Sequence, residues 1–322
     1  MKTKTVLLIG AGNIAGAKPM AKPGGPVTTH IHAILSDERM QLVGIVDRDV
    51  DAAAALAKKW NVNNDVKVIQ TVYAFSRTDD KSPDIVVIAT TPKTHVDVIN
   101  DVFRHLKPKI VLLEKPGGTD ADEARYILAM CITNRCGLFL NYQRNYCPQI
   151  TVEMICDAIG KPVYAQCDYV RGLKNDASHA IALFSKLFGY GAKNVLAYKR
   201  TINDLSGDPT VRAIYGLPNC EVALIGHDGR MFDVFEITIY GTHGKIVLAD
   251  HGQQIIKTGI TDEEVYGKYK KLQTGNENIG SADLSLSNTY NAILANCKGG
   301  DMVNYLDVWR TITLIKNIVE EN

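Results

Sequence analysis

The chain has 322 residues, 36 of them basic and 35 acidic, giving a formal net charge of +1, and 46% of its residues are hydrophobic. That length predicts two domains with sizeable cores, and the balanced charge gives no electrostatic reason to expect nucleic acid or a membrane surface as partner. No apolar run approaches the roughly 18 residues of a membrane helix, the apolar run after Lys4 is too short for a secretory signal, and the cysteines at 131, 136, 147, 156, 167, 220 and 297 form no CxxC, so they read as reduced thiols of a cytoplasmic protein.

In chain order, the first half alternates apolar strand-length runs with helical patterns. "TVLLIGAG", "QLVGIVD", "DIVVIATTP", "KIVLLEKP" and "GLFLNYQ" are the runs, and "DVDAAAALAKKW" and "DADEARYILAMCITN" are among the helices between them. Continuous apolar strands separated by helices predict a doubly wound parallel sheet, here a Rossmann-type domain over 1–146. The first strand runs into "GAGNIAG", where Gly10, Gly12 and Ala15 fit the G-x-G-x-x-G/A dinucleotide fingerprint. The first glycine permits the tight turn, the second a close approach of backbone to a pyrophosphate, and the small third residue close helix packing. The alternative is a glycine turn in a cofactor-free fold. The second strand ends in Asp47, whose carboxylate can accept from both ribose hydroxyls and repels a 2′-phosphate, which favours NAD. Arg48 beside it can stack on adenine or hold a phosphate, which keeps NADP open.

Gly12 and Asp47 are 35 positions apart, where about 20 is usual. The excess is "AKPMAKPGGPVT", whose prolines and glycines cannot continue a helix. The helix is expected to restart near Thr29, with the insertion beside the pyrophosphate or the mouth of the active site. His30 and His32 in that helix are too few for a metal site and fall on different faces, so a surface or packing role is expected and no metal.

"IVLLEKPGG", Ile110–Gly118, ends a buried strand in a charge pair. Adjacent strand residues point to opposite faces, so Glu114 and Lys115 are poorly placed to pair with each other. After Tyr146 the texture changes. A helix, "PQITVEMICDAIG", is followed by strands "PVYAQCDYVRG", "NVLAYKRTI", "VRAIYGL", "CEVALIGHD", "MFDVFEITIYG" and "KIVLADH", interrupted by the helix "NDASHAIALFSKLFG". Alternation in "MFDVFEITIYG" suits a sheet with two unlike faces. This predicts an α+β domain over 147–322 with an open, mainly antiparallel sheet, closing in two helices split at Gly299–Gly300.

These stretches together resemble the glucose–fructose oxidoreductase and inositol dehydrogenase family (Gfo/Idh/MocA) over nearly the whole chain. "GAGNIA" matches its nucleotide loop, "ATTPKTH" its fourth-strand motif and "EKP" its most diagnostic triplet. "NYQRNYCP" looks like the segment leaving the nucleotide domain, "SHAIALFSKLFG" like the active-site helix and "IYGTHGKIVL" like a turn of the second domain. The resemblance implies an NAD(P)-dependent oxidoreductase that moves hydride between nicotinamide and a secondary alcohol or ketone of a sugar, cyclitol or nucleotide sugar. It implies cofactor contacts from Gly10, Gly12, Asn13, Ile14, Ala15, Asp47, Arg48, Thr90, Thr91, Pro92, His95, Glu114, Lys115 and Arg144. It also implies that Lys115 and His179 are catalytic, that the peptide before Pro116 is cis, and that the chain is a homodimer or homotetramer joined through the C-terminal sheet.

The chain departs from the family where many dehydrogenases carry an Asp four residues before the catalytic His and another three after. Here those positions are Asn175 and Ala182. Asn175 can orient a hydroxyl, and Asp176, three residues before His179, is the expected carboxylate partner. Two other readings stay open: a catalytically silent NAD(P)-binding sensor or scaffold, and NAD-dependent glycoside cleavage.

Overall fold

The computed structural model describes residues 3–78, 82–205, 207–265, 267, 269–295 and 300–321. The chain gathers into two compact units, Met1–Gln143 with Ser285–Met302, and Arg144–Leu284 with Val303–Asn322. A single boundary at 146 falls just past the first crossing and does not include the return of 285–302 to the first unit.

The first unit begins with β1 (Lys4–Ile9), α1 (His30–Leu35), β2 (Met40–Val46) and α2 (Val50–Lys59). It continues through β3 (Lys67–Ile69), α3 (Val72–Ser76), β4 (Ile85–Ile88), α4 (His95–His105), β5 (Ile110–Leu113), α5 (Ala121–Thr133) and β6 (Gly137–Leu140). All pairings are parallel and the strand order is β3-β2-β1-β4-β5-β6, the doubly wound Rossmann order. Every residue of β4, β5 and β6 is buried, as strands covered on both faces require. Helix starts are set by local caps. The Asp49 carboxylate accepts from the Asp51 and Ala52 N–H groups, and Asp120 does the same for Asp122 and Glu123. Such an order reverses between β1 and β4, and the loops after those two strands are where a ligand crevice opens.

The second unit opens with α6 (Val152–Ile159), β7 (Pro162–Tyr169) and α7 (Ser178–Phe188). Then come β8 (Lys193–Leu205), β9 (Asp208–Leu217), β10 (Cys220–Gly226), β11 (Phe235–Gly241), β12 (Gly244–Ala249), β13 (Gln254–Asp262), β14 (Lys270–Leu272) and β15 (Glu277–Ser281). The strands form one sheet in the order β14-β13-β12-β11-β7-β10-β9-β8, with β15 on β13. Only the β7–β10 pair is parallel, so the sheet is mainly antiparallel, as expected. The chain returns to the first unit as α8 (Leu286–Ala295) and ends in the second as α9 (Met302–Glu321). Gly300 lies between these helices, and Gly299 is outside the described residues. The Asp307 carboxylate ties α9 to the α7 region, accepting from Ser185 Oγ and the Gly191 N–H, both at 2.7 Å.

Among the described residues no helix is long and apolar enough to cross a membrane, and no group of three His, Cys, Asp or Glu has the geometry to hold a metal ion. Cys131, Cys136, Cys147, Cys156, Cys167 and Cys220 are free thiols; Cys297 is outside the described residues.

Candidate functional site

In the first unit, the loop after β1 turns at Gly10, where φ is +104° and a Cβ would stand 2.7 Å from the Ala89 carbonyl oxygen. No other residue fits there without moving β4. Gly12 differs. Its backbone is extended, φ −78° and ψ −169°, and a Cβ would meet nothing within 4 Å. The fold has no need of glycine at 12, but a ligand approaching the backbone does. Asn13 is exposed, Ile14 half-buried and Ala15 fully buried in the short helical turn Asn13–Ala17 that follows. Asp47, at the end of β2, reaches back to this loop: Oδ2 accepts the Ala11 N–H at 2.7 Å, and Oδ1 accepts the Asp49 N–H at 2.9 Å. A carboxylate has about four acceptor positions, so two remain for a ribose. Arg48 is exposed beside it.

The insertion after the turn is anchored at both ends. Lys59 Nζ donates to the carbonyls of Gly16 and Lys18, at 3.0 and 2.5 Å, and Trp60 Nε1 donates to Gly16 at 3.0 Å. The Val27 carbonyl accepts the Leu286 N–H at 3.0 Å. The helix restarts at His30, with Thr29 at its N-cap position, where it was expected.

After β4, Thr90, Thr91 and Pro92 form the loop that faces the glycine turn across the strand-order reversal. Thr94 Oγ1 donates within this loop to Thr90 Oγ1, and the fully buried His95 holds the Thr90 carbonyl through Nε2 at 3.1 Å. Burial lowers the His95 pKa, more than the Thr90 bond and the neighbouring Glu114 charge raise it. His95 was expected among the cofactor contacts; in the structure it supports the loop from beneath.

After β5, Lys115 is half-buried and its peptide to Pro116 is cis. Glu114 turns inward, 8% exposed, and meets His30 Nε2 at 2.8 Å and Asn141 Nδ2 at 2.6 Å. Burial alone pushes the Glu114 carboxyl up. The His30 bond and charge, the Asn141 amide and the Lys115 ammonium outweigh it and hold the carboxyl below its ordinary value. Glu114, expected among the cofactor contacts, is an internal anion beneath the strand-end loop. His30, assigned a surface or packing role from sequence, is buried in this polar network, and His32 is buried against Trp60.

In the second unit, Arg144 Nη2 donates to the His251 carbonyl at 2.5 Å, and its guanidinium lies 3.9 Å from the Phe235 ring centroid. Burial lowers its pKa to about 10. Phe235 meets the His179 ring edge-on, with centroids 6.3 Å apart and planes at 85°. His179 is in the first turn of α7. Asp176 lies in the wider turn before that helix, 91% buried, and its Oδ2 accepts from Arg171 Nε at 3.1 Å; Arg171 in turn bridges to Asp233 at 3.1 Å. Arg171 is thus a partner of Asp176 that sequence reasoning did not find. The Asn175 side chain is exposed, while its N–H and that of Lys174 both donate to the Asp208 carboxylate at 2.8 Å. Ala182 is fully buried, and its carbonyl accepts from Asn304 Nδ2 at 2.9 Å.

Residues 4–142 match the family model GFO_IDH_MocA, described as an oxidoreductase family with an NAD-binding Rossmann fold. Residues 4–142 therefore carry the NAD-binding Rossmann domain that this family model describes. No curated protein matches the sequence significantly. Among solved structures, the chain is similar to KijD10, a 3-ketoreductase from Actinomadura kijaniata in complex with NADP, with a TM-score of 0.72 at 14% identity, covering 98% of this chain and 97% of that one. It is similar to a putative myo-inositol dehydrogenase from Sinorhizobium meliloti 1021, with a TM-score of 0.70 at 18% identity over 99% of this chain and 98% of that one. It is also similar to a super-repressor mutant of Gal80p from Saccharomyces cerevisiae, with a TM-score of 0.76 at 13% identity over 99% and 96%. At these identities the likeness is one of fold.

The residues that sequence reasoning missed are His30, Asn141, Tyr290, Arg171 and Asp208. Each acts by its position in space. The one signal that could have pointed to His30 is its place in the first helical turn after an insertion next to the nucleotide loop.

Proposed function

We propose that this protein is an NAD-dependent dehydrogenase or reductase acting on a secondary alcohol or ketone of a sugar, cyclitol or nucleotide sugar. The observation that carries the reading is Gly12: its backbone is open toward the strand-order reversal, with Asp47 alongside and Lys115 ending β5 on the same sheet edge. Two free acceptor positions on Asp47 favour ribose hydroxyls over a 2′-phosphate. NAD, when bound, supplies the hydride acceptor. In the direction of oxidation the nicotinamide would take the hydride of the substrate C–H; His179 would accept the hydroxyl proton, and the Lys115 ammonium would stabilise the oxygen as its negative charge develops. Arg171 and Asp176 form a charged pair at the entrance to α7, and Asn175 is an exposed hydroxyl ligand. The protein works in the cytoplasm as a homo-oligomer that uses the C-terminal sheet.

The test is a panel of sugars, cyclitols and nucleotide sugars incubated with NAD or NADP and followed for reduced nicotinamide and for glycoside release. Reduction of NAD by at least one secondary alcohol is expected. Glycoside release without net reduction would replace the dehydrogenase with a glycoside-cleaving enzyme. Tighter calorimetric binding of NADP than NAD would shift the assignment from Asp47 to Arg48. A second reading rests on the Gal80p likeness, since the transcriptional regulator Gal80p from Kluyveromyces lactis also shares this fold, with a TM-score of 0.74. NAD binding with no turnover on the whole panel would favour that reading, a nucleotide-sensing regulator.

A further inference from the structure

The polar network beneath the EKP triplet is wholly buried and draws on distant parts of the chain. His30 is 0% exposed, and both ring nitrogens are committed: Nε2 to Glu114 Oε1 at 2.8 Å and Nδ1 to the Tyr290 hydroxyl at 2.9 Å. The same Glu114 oxygen accepts from Asn141 Nδ2 at 2.6 Å, and Asn141 Oδ1 accepts from Thr289 Oγ1 at 3.3 Å. The proton positions follow from the donor inventory. An ionised Glu114 only accepts, so His30 Nε2 carries a hydrogen. The Tyr290 hydroxyl, kept protonated by burial, holds the other ring nitrogen. The network runs from α8 through α1 to the end of β5, one residue before Lys115.

A buried carboxylate left without such donors takes up a proton instead. The titratable groups facing Glu114 are His30 from α1, Tyr290 from α8, His95 from α4 and the adjacent Lys115. Of these, His30 donates a hydrogen bond to it at 2.8 Å.

We propose that His30 is a positioning residue for Lys115: locked by Tyr290 and assisted by Asn141, it keeps the Glu114 carboxylate ionised beside Lys115 and thereby keeps the Lys115 side chain in its ammonium form. The network is a fixed internal counter-charge for the group that steadies the reacting oxygen. The proposal rests on the dehydrogenase reading for its consequence in turnover, but not for its direct test.

That test uses the full-length chain with its lysines dimethylated by carbon-13 formaldehyde, and the Lys115 resonance assigned by its loss in Lys115→Arg. The titration of that resonance is compared in the wild type, His30→Phe, His30→Gln, Glu114→Gln and the double variant His30→Phe/Glu114→Gln. His30→Phe and Glu114→Gln should each move it down by about one pH unit, the lower end of the effect of a nearby opposite charge. The double variant should move it no further, because both changes remove one counter-charge. His30→Gln, whose amide can still donate to Glu114, should stay near the wild type. A folded His30→Phe with the wild-type titration, or additive shifts in the double variant, would overturn the proposal. If His30→Phe does not fold, Tyr290→Phe and Glu114→Gln carry the test, and an unchanged Lys115 titration in both would overturn it equally. In turnover, His30→Phe should move the alkaline limb of the pH profile down with the resonance. Should Lys115→Met leave turnover intact, the functional reading fails while the titration still decides the role of His30.

Discussion

Gly10 and Gly12, two residues apart in the same loop, make opposite demands. A Cβ on Gly10 would stand 2.7 Å from Ala89 O at a φ of +104°, so Gly10→Ala should lower stability by about 1–3 kcal/mol, the usual scale for such backbone conflict. A Cβ on Gly12 would meet nothing. Gly12→Val should leave the melting temperature unchanged and weaken NAD at least about tenfold, or about 1.4 kcal/mol. Thermal melts beside calorimetric titration separate the two, and unaltered NAD affinity in Gly12→Val would remove the main argument for the nucleotide site. His95 makes a pH-dependent contribution. Its folded pKa is lowered by burial from the ordinary 6.5, so the unfolded chain binds the proton first. The stability it contributes is fully present above 6.5 and is lost as the pH falls through its folded pKa. His95→Gln should therefore flatten the loss of denaturant stability between about pH 7 and pH 5. A slope as steep as in the wild type would show that other groups govern it.

Among elements, the turn before α7 depends on the start of β9. Asp208 accepts both the Lys174 and Asn175 N–H groups, and Thr210 Oγ1 accepts the Gly172 N–H at 2.9 Å. Asp208→Ala should loosen the segment that carries Asp176, costing about 1–3 kcal/mol from two lost charge-assisted bonds. It should lower kcat/KM while NAD affinity stays the same; a fall in NAD affinity of equal size would mean that the turn serves the nucleotide. How legible these elements were varies with what forms them. The strands β4, β5 and β6 stood out because both their faces are buried and their sequences are unbroken apolar runs, and β1 and β2 because most of their residues are apolar and buried. β3 is three residues, too short for such a signal, and β14 and β15 are exposed along their whole length. Those last two exist by pairing with β13, which no local periodicity encodes. The glycine loop, Asp47 and the EKP triplet were readable because their chemistry sits in contiguous residues. The His30 network was not: its members lie 84 and 260 positions from His30. Asp176 was read by helical spacing, but it sits in a wider turn that helical spacing does not describe.

For the whole molecule, nucleotide binding is a property proposed for the first unit, with Lys115 following β5 at the edge of its sheet. The match of residues 4–142 to an NAD-binding Rossmann family model and the strand order of the first unit agree on a dinucleotide-binding domain. Gal80p, with the same fold, shows why fold alone does not establish turnover. A single side chain distinguishes the two outcomes, because Lys115 ends a strand that is complete without it. The most direct measurement is the turnover of Lys115→Met on the best substrate of the panel, with the NAD dissociation constant measured on the same preparation. The account predicts a fall in kcat of about a hundredfold or more, with NAD affinity within about threefold of the wild type. Turnover that survives the change at undiminished NAD affinity would contradict it and make the EKP triplet a structural feature of this chain.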